Sequence, residues 1–269
     1  MSSQRKSLGL TFRSLRAENR IGLLPFVPAG YPNLETTSAA LVELERAGAS
    51  AIEVGFPFSD PIADGPVIQE AFADALARGV RVADILRTVH ETRARVSIPL
   101  VAMVSFSIVF RYGIERFLAD AAQAGFDGLI VPDLPPPESQ SVSRAVHDAG
   151  LDTVMLVAPT TPARRRAEIV KLCSGFVYYL AVSGTTGERD ALPADLVQNV
   201  RQIRSVGDCP VCVGFGVSKP EHLALLRGVA DGAIVGSAVV RVMRANRAES
   251  PQNVAAAAGE FCRALLSQV

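Results

Sequence analysis

Three carboxylates crowd one short segment, IEVGFPFSDPIADGP (52–66). Glu53 interrupts an apolar run, where a carboxylate is expensive unless it is paired or has chemistry to do. Asp60 and Asp64 follow in a stretch bracketed by Pro57, Pro61 and Pro66. Prolines stiffen such a loop and lower the entropy of holding a side chain in place. An acid held among Phe, Val and Leu side chains has a raised pKa and can shuttle protons near neutral pH. Glu53 and Asp64 are therefore read as an acid–base pair. The alternative is a satisfied internal acid and a loop cap. Asp60 is read as structural, because Ser-Asp-Pro is a turn-capping pattern.

A second chemistry lies further along. Gly214-Phe-Gly216 and Gly236-Ser237 each end an apolar run and lead into a helical pattern. Backbone N–H groups at such turns, with a helix N-terminus behind them, bind phosphate. Ordinary turn glycines are the competing reading. Gly184-Thr-Thr-Gly187 is small and hydroxyl-bearing, suited either to closing over a ligand or to being plain surface loop.

Other chemistries fit poorly. A Schiff-base lyase needs a lysine on a strand, whereas Lys6, Lys171 and Lys219 fall at a terminus, a helix end and a helix start. His90, His147 and His222 fall far apart in helical patterns, so no metal site is expected. No Gly-x-Ser-x-Gly elbow occurs. Cys209 and Cys212 form a C-x-x-C, but CPVCVGFG reads as a strand, and redox pairs sit at helix starts. Reduced thiols are expected there and at Cys173 and Cys262. What remains is carboxylate acid–base catalysis with a phosphate handle.

These residues need a scaffold. Eight β-rich runs recur: 21–30, 50–55, 99–106, 127–133, 152–159, 176–182, 209–216 and 232–237. Several are continuously apolar, as parallel strands buried on both faces are. Between them lie amphipathic patterns such as 34–47, 114–124 and 137–149. Three of these return through Ala-Gly into a strand, in RAGASAIEVG, QAGFDGLIVP and DAGLDTVMLV. Glycine there supplies the left-handed cap. A helix over 8–20 precedes the first strand, one follows the eighth, and 251–266 forms the last. The expectation is one (β/α)8 TIM barrel with an extra N-terminal helix, spanning residues 1–269. Single barrels commonly run to about 250 residues. A doubly wound sheet also uses βαβ units, but no Gly-rich loop follows the first strand. Barrel active sites lie at the C-terminal strand ends, where Glu53, Gly216 and Gly236 all fall.

Composition agrees. Of 269 residues, 49% are hydrophobic and 20% charged, with a formal net charge of zero. That charge leaves no electrostatic footprint for nucleic acid. No apolar run approaches the ~20 residues of a membrane span. The first twenty residues lack the apolar stretch of a signal peptide, and a cytoplasmic location is expected.

The segment AIEVGFPFSDPIADGP (51–66) resembles the signature of the tryptophan synthase α subunit family. PFVPAGYP (25–32), IVPDLP (130–135), GTTG (184–187), GFGVS (214–218) and VGSAVV (235–240) match in order and spacing across nearly the whole chain. The resemblance implies retro-aldol cleavage of indole-3-glycerol phosphate to indole and glyceraldehyde 3-phosphate. It gives Glu53 the proton transfers at indole C3 and at the side-chain hydroxyl. It gives Asp64 the indole N–H, and Tyr178 the orientation of Glu53. Phosphate contacts fall on Gly187, Gly216, Gly236 and Ser237. Phe26 falls in the indole pocket, and Thr186 in a closing loop beside Asp64. No cofactor is implied for this chain, since pyridoxal phosphate would belong to a β-subunit partner.

The chain also departs from the family pattern. Ala181-Val182 stands where the family has Ser-Arg, and Ser105-Phe-Ser107-Ile where it has Tyr-x-Asn-Pro. The resemblance places Ser105 and Ser107 towards the β subunit. Two alternatives follow: a lyase that works alone and releases free indole, or a barrel that only binds a phosphorylated ligand.

Overall fold

The computed structural model describes residues 7–61, 64–181, 195–214 and 216–268. α1 (Leu8–Ala17) comes first. The repeat then runs β1 (Gly22–Pro28), α2 (Leu34–Arg46), β2 (Ile52–Gly55), α3 (Pro66–Ala77), α4 (Val82–Arg93), β3 (Leu100–Met103), α5 (Phe106–Tyr112), α6 (Ile114–Ala124) and β4 (Gly128–Ile130). It continues α7 (Ser139–Asp148), β5 (Asp152–Val157), α8 (Ala163–Leu172), β6 (Val177–Leu180), α9 (Leu196–Arg204), β7 (Val211–Gly214), α10 (Pro220–Leu226), β8 (Gly232–Val235), α11 (Ser237–Ala245) and α12 (Pro251–Leu266). The strands pair in parallel, in sequence order, and β8 closes onto β1. The fold is a (β/α)8 barrel.

Each expected run contains a strand, but the strands are shorter. The run at 99–106 holds only Leu100–Met103, and the run at 209–216 only Val211–Gly214. Apolar composition marks where chain is buried, while ladder bonds stop where the chain turns out into the mouth. The Ala-Gly returns are as expected: Gly48, Gly125 and Gly150 all have positive φ. Within 8–20 the helix stops at Ala17, and Asn19 turns out of it with φ 52. The pattern at 137–149 opens with a short 3₁₀ turn at Pro136–Glu138 before α7 begins.

Side chains alternate between two cores. Outward residues of the strands pack under the helices, among them Leu23, Val54, Leu100 and Val213. Inward residues Leu24, Ala51, Val101, Ile130, Val154, Tyr178, Cys212 and Ile234 fill the barrel. Phe26 pairs with Glu53, and Glu53 with Val101, so the register sets Glu53 on this inward side. α1 plugs the floor. Leu8 and Phe12 are fully buried against the barrel interior, and Phe12 meets Phe176 edge-on with ring centres 5.5 Å apart. The Asp152 carboxylate accepts from the Leu8 N–H at 2.8 Å and from Ser7 Oγ at 3.2 Å, fixing the start of the plug. Arg16 donates to Asp231 through Nε at 2.7 Å and Nη2 at 2.9 Å, fixing its end.

Candidate active site

β2 carries Glu53 to the barrel mouth with 1% of its surface exposed. Its Oε1 has no hydrogen-bond partner among the described residues. Burial, reinforced by the charge of Asp64, pushes its carboxyl up to about 8. The loop after β2 brings Asp64 back over the mouth, and this placement is held by backbone groups. The Asp64 N–H donates to Pro61 O at 3.0 Å. From α3, Gln69 Nε2 donates to Asp64 O at 2.8 Å and to Pro61 O at 3.2 Å. Asp64 is half-buried, and that burial raises its carboxyl to about 6. Asp60 behaves as its turn pattern suggests: it is exposed and accepts from Ser59 Oγ at 2.7 Å.

Tyr178 projects inward from β6 and is 8% exposed. Burial first, then the charges of Glu53, Asp64 and Cys212, drive its phenol well up. A Cβ at Gly214 would lie 3.0 Å from its Oη, so the hydroxyl lies over the end of β7. The ring of Phe26 lies across Gly55, where a Cβ would come within 2.3 Å of it; only glycine leaves room beside Glu53 for that ring. Phe26 in turn meets Phe72 of α3 edge-on, ring centres 6.2 Å apart.

Beside this pair opens a cavity of about 310 Å³. Phe56, Phe58, Phe72, Met103, Val104 and Pro132 make it largely apolar, and Asp64, Asp60 and Asp133 bring carboxylates to it. A flat aromatic group suits such walls. The phosphate candidates lie on the neighbouring strands. Gly216 follows β7 with φ +91, which favours glycine. Gly236 and Ser237 open α11, and a Cβ at Gly236 would meet Ile68 at 3.7 Å and Phe26 at 3.9 Å. The two turns adjoin because β7 pairs with β8. Thr186, Gly187 and Val182 lie outside the described residues.

One mouth residue escaped the reading from types and spacing. Asp133 accepts from Ser105 Oγ and from the Phe106 N–H, both at 2.7 Å, and Ser107 Oγ lies 2.9 Å from Ser105 Oγ. The same rule that found Glu53, an acid at the end of an apolar run, applies to IVPD. Ser105 and Ser107 thus belong to one clamp joining the ends of β3 and β4.

His90, His147 and His222 lie on α4, α7 and α10. Among the described residues, no helix is long and apolar enough to cross a membrane.

Residues 12–268 match the family model described as "Tryptophan synthase alpha chain". Among curated proteins, the tryptophan synthase alpha chain of Rhodopirellula baltica is 44% identical over 94% of this chain and 95% of its own length. That of Prochlorococcus marinus is 45% identical over 98% and 95%. Among solved structures, a Mycobacterium tuberculosis tryptophan synthase chain superposes with a TM-score of 0.85 at 37% identity, covering 97% of this chain and 99% of its own. A mutant alpha-subunit from Pyrococcus furiosus gives 0.83 at 36% identity, covering 91% and 97%.

Proposed function

Because this chain belongs to the tryptophan synthase alpha chain family, and is therefore a lyase of tryptophan biosynthesis, we propose that its barrel mouth cleaves indole-3-glycerol phosphate by a retro-aldol step of the aldehyde-lyase type. The observation that carries this reading is the contrast between two neighbouring acids. Glu53, with its carboxyl near 8, holds a proton at neutral pH, while Asp64, near 6, is ionised there. The two roles of a retro-aldol cleavage need opposite charge states.

The indole ring lies among Phe56, Phe58 and Phe72, and its N–H donates to the Asp64 carboxylate. Glu53 delivers its proton to indole C3. The ring becomes a cationic indolenine, whose charge the Asp64 carboxylate stabilises. The Glu53 carboxylate then takes the proton from the hydroxyl on the carbon bonded to C3. That carbon becomes an aldehyde, the carbon–carbon bond breaks, and its electrons return to the ring. Indole and glyceraldehyde 3-phosphate leave, and Glu53 is protonated again. Tyr178 restricts the path of the Glu53 side chain. Gly216, Gly236 and Ser237 hold the phosphate, and the family resemblance adds Gly187 to the phosphate contacts and Thr186 to the groups beside Asp64. This chain needs no cofactor of its own. A pyridoxal phosphate-containing β subunit would consume the indole.

The test is indole release from indole-3-glycerol phosphate by the purified chain, with and without a β subunit. Acceleration by the β subunit supports the paired enzyme. A second reading, a lyase that works alone, is favoured by the Ser105–Ser107–Asp133 clamp, which ties up internally the polar groups at that end of the mouth. A rate that the β subunit leaves unchanged would select it. Wild-type turnover by Glu53→Gln would overturn the mechanism common to both, and a chain that binds indole-3-glycerol phosphate yet releases no indole with or without a β subunit would select a barrel that only binds ligand.

A further inference from the structure

The apolar cavity beside Glu53 and Asp64 does not close on an apolar wall. Asp64 and Phe72 bound it on the β2 side, and Ser105, Pro132 and Asp133 bound it where β3 and β4 end. Inward positions alternate along a strand. Met103 pairs with Gly55, two residues past Glu53, so Ser105 stands one inward step higher in the wall of the mouth. It is 8% exposed, and its side chain is only a hydroxymethyl group. Ser105 Oγ donates to Asp133 Oδ2 and the Phe106 N–H donates to Asp133 Oδ1, both at 2.7 Å. A carboxylate has about four lone-pair sites, so this end of the cavity carries a fixed acceptor with capacity to spare. Among the described residues, Asp60, Asp64 and Asp133 line the cavity and no basic side chain does.

The closed barrel sets β3 and β4 across from β7 and β8. A substrate with its phosphate at Gly216 and Gly236 and its reacting carbon at Glu53 therefore points its ring towards Ser105 and Asp133. The cavity measures about 310 Å³. The atoms of a bare indole ring each take well under the ~30 Å³ of a liquid water, so the ring leaves part of that space unfilled. The unfilled part lies at the polar end.

Resting on the retro-aldol reading above, we propose that Ser105 and Asp133 form a specificity subsite for a hydrogen-bond-donating substituent, hydroxyl or amino, on the benzene ring of indole-3-glycerol phosphate. Ser105 supplies the space and Asp133 the acceptor. An apolar wall at that end would leave the substituent's donor without a partner. An anionic substituent is rejected, because it would join three carboxylates with no cation beside them.

The test runs the reaction backwards on the full chain, condensing glyceraldehyde 3-phosphate with indole, with 5- and 6-hydroxyindole, and with indole-5- and indole-6-carboxylate. The better hydroxyindole should reach a kcat/KM within about 10-fold of indole, and both carboxylates should fall at least about 10-fold below that hydroxyindole. Ser105→Tyr fills the end and should lower the hydroxyindole-to-indole ratio about 10-fold or more. Asp133→Asn should lower the same ratio about 3-fold or more and raise the carboxylate-to-indole ratio, since a charge-assisted bond is about twice as strong as a neutral one. Each variant is read as a ratio of two substrates, so loss of folded protein cancels. Turnover of indole with both hydroxyindoles more than about 10-fold worse would overturn the subsite and leave the lyase reading standing. So would carboxylates used as well as hydroxyindoles, or a hydroxyindole-to-indole ratio that Ser105→Tyr leaves unmoved. No condensation with any indole, with or without a β subunit, would overturn the lyase reading and the subsite with it.

Discussion

Both ends of the barrel bury carboxylates, and the two ends treat them in opposite ways. On the floor, Asp231 is 1% exposed and accepts from Arg16, from Arg204 at 2.8 Å and from the Val211 N–H at 2.7 Å. Asp127 accepts from Arg93 at 3.0 Å and from the Leu100 N–H at 2.9 Å. At the mouth, Glu53 is equally buried, yet one oxygen has no partner among the described residues and the charge acting on it is the like charge of Asp64. Acids paired with guanidinium groups fix strands and the α1 plug in place. An unsatisfied acid costs stability and keeps a proton to give away. Burial alone therefore does not separate structure from function; the partners do.

The largest test of this contrast is Glu53→Gln. Turnover should fall about 10³-fold or more, as for loss of a general acid–base. Stability should move the other way, with a sign fixed by the raised carboxyl. Below about 4.5 both folded and unfolded chains hold the proton, and the acid is neutral to folding. As pH rises from there towards 8, unfolding releases that proton, so the native acid becomes increasingly unfavourable. Urea melts should show the variant more stable than the parent at pH 8 and equal to it at pH 4. Reduced stability at pH 8 would place Glu53 with the floor acids.

Asp231→Ala is the mirror experiment. It strands two guanidinium groups and a backbone N–H, and should cost about 3–5 kcal/mol. Turnover per folded molecule should be unchanged. A loss of turnover in the folded fraction would mean that the floor reaches the chemistry.

Asp64→Asn should lower kcat about 10²-fold while KM stays within a few-fold, because its charge matters most once the ring is cationic. Its protonation also sets the acid limb of the parent. kcat/KM should fall below pH about 6 as Asp64 takes up a proton, and above about 8 as Glu53 loses one. A pH profile flat across both values would remove the division of roles.

The smallest effect expected is from Ser237→Ala at the start of α11. Losing one hydrogen bond to phosphate should raise KM about 3- to 10-fold with kcat little changed. An unchanged KM would take Ser237 out of the phosphate site.

Much of this was legible in the chain. β-rich runs, several of them continuously apolar, marked all eight strands, and Gly48, Gly125 and Gly150 marked three of the returns, because burial on both faces and left-handed caps impose local composition. Glu53 stood out because an acid inside an apolar run is locally anomalous. Asp133 was missed by types and spacing, since its importance lies in reaching Ser105 and Phe106 from the next strand. Strand limits were overdrawn because hydrophobicity continues past the last ladder bond into the walls of the mouth.

The sequence by itself determined the repeat, the barrel and the positions of Glu53 and Asp64 along it. Only the tertiary structure decided that Glu53 would be starved of partners while Asp231 would be saturated. Only it buried Cys212 fully inside the barrel while leaving Cys209 half-buried at the entry to β7. The reason is physical. Periodicity and caps act between residues a few positions apart, whereas desolvation and pairing depend on segments that meet only when the barrel closes.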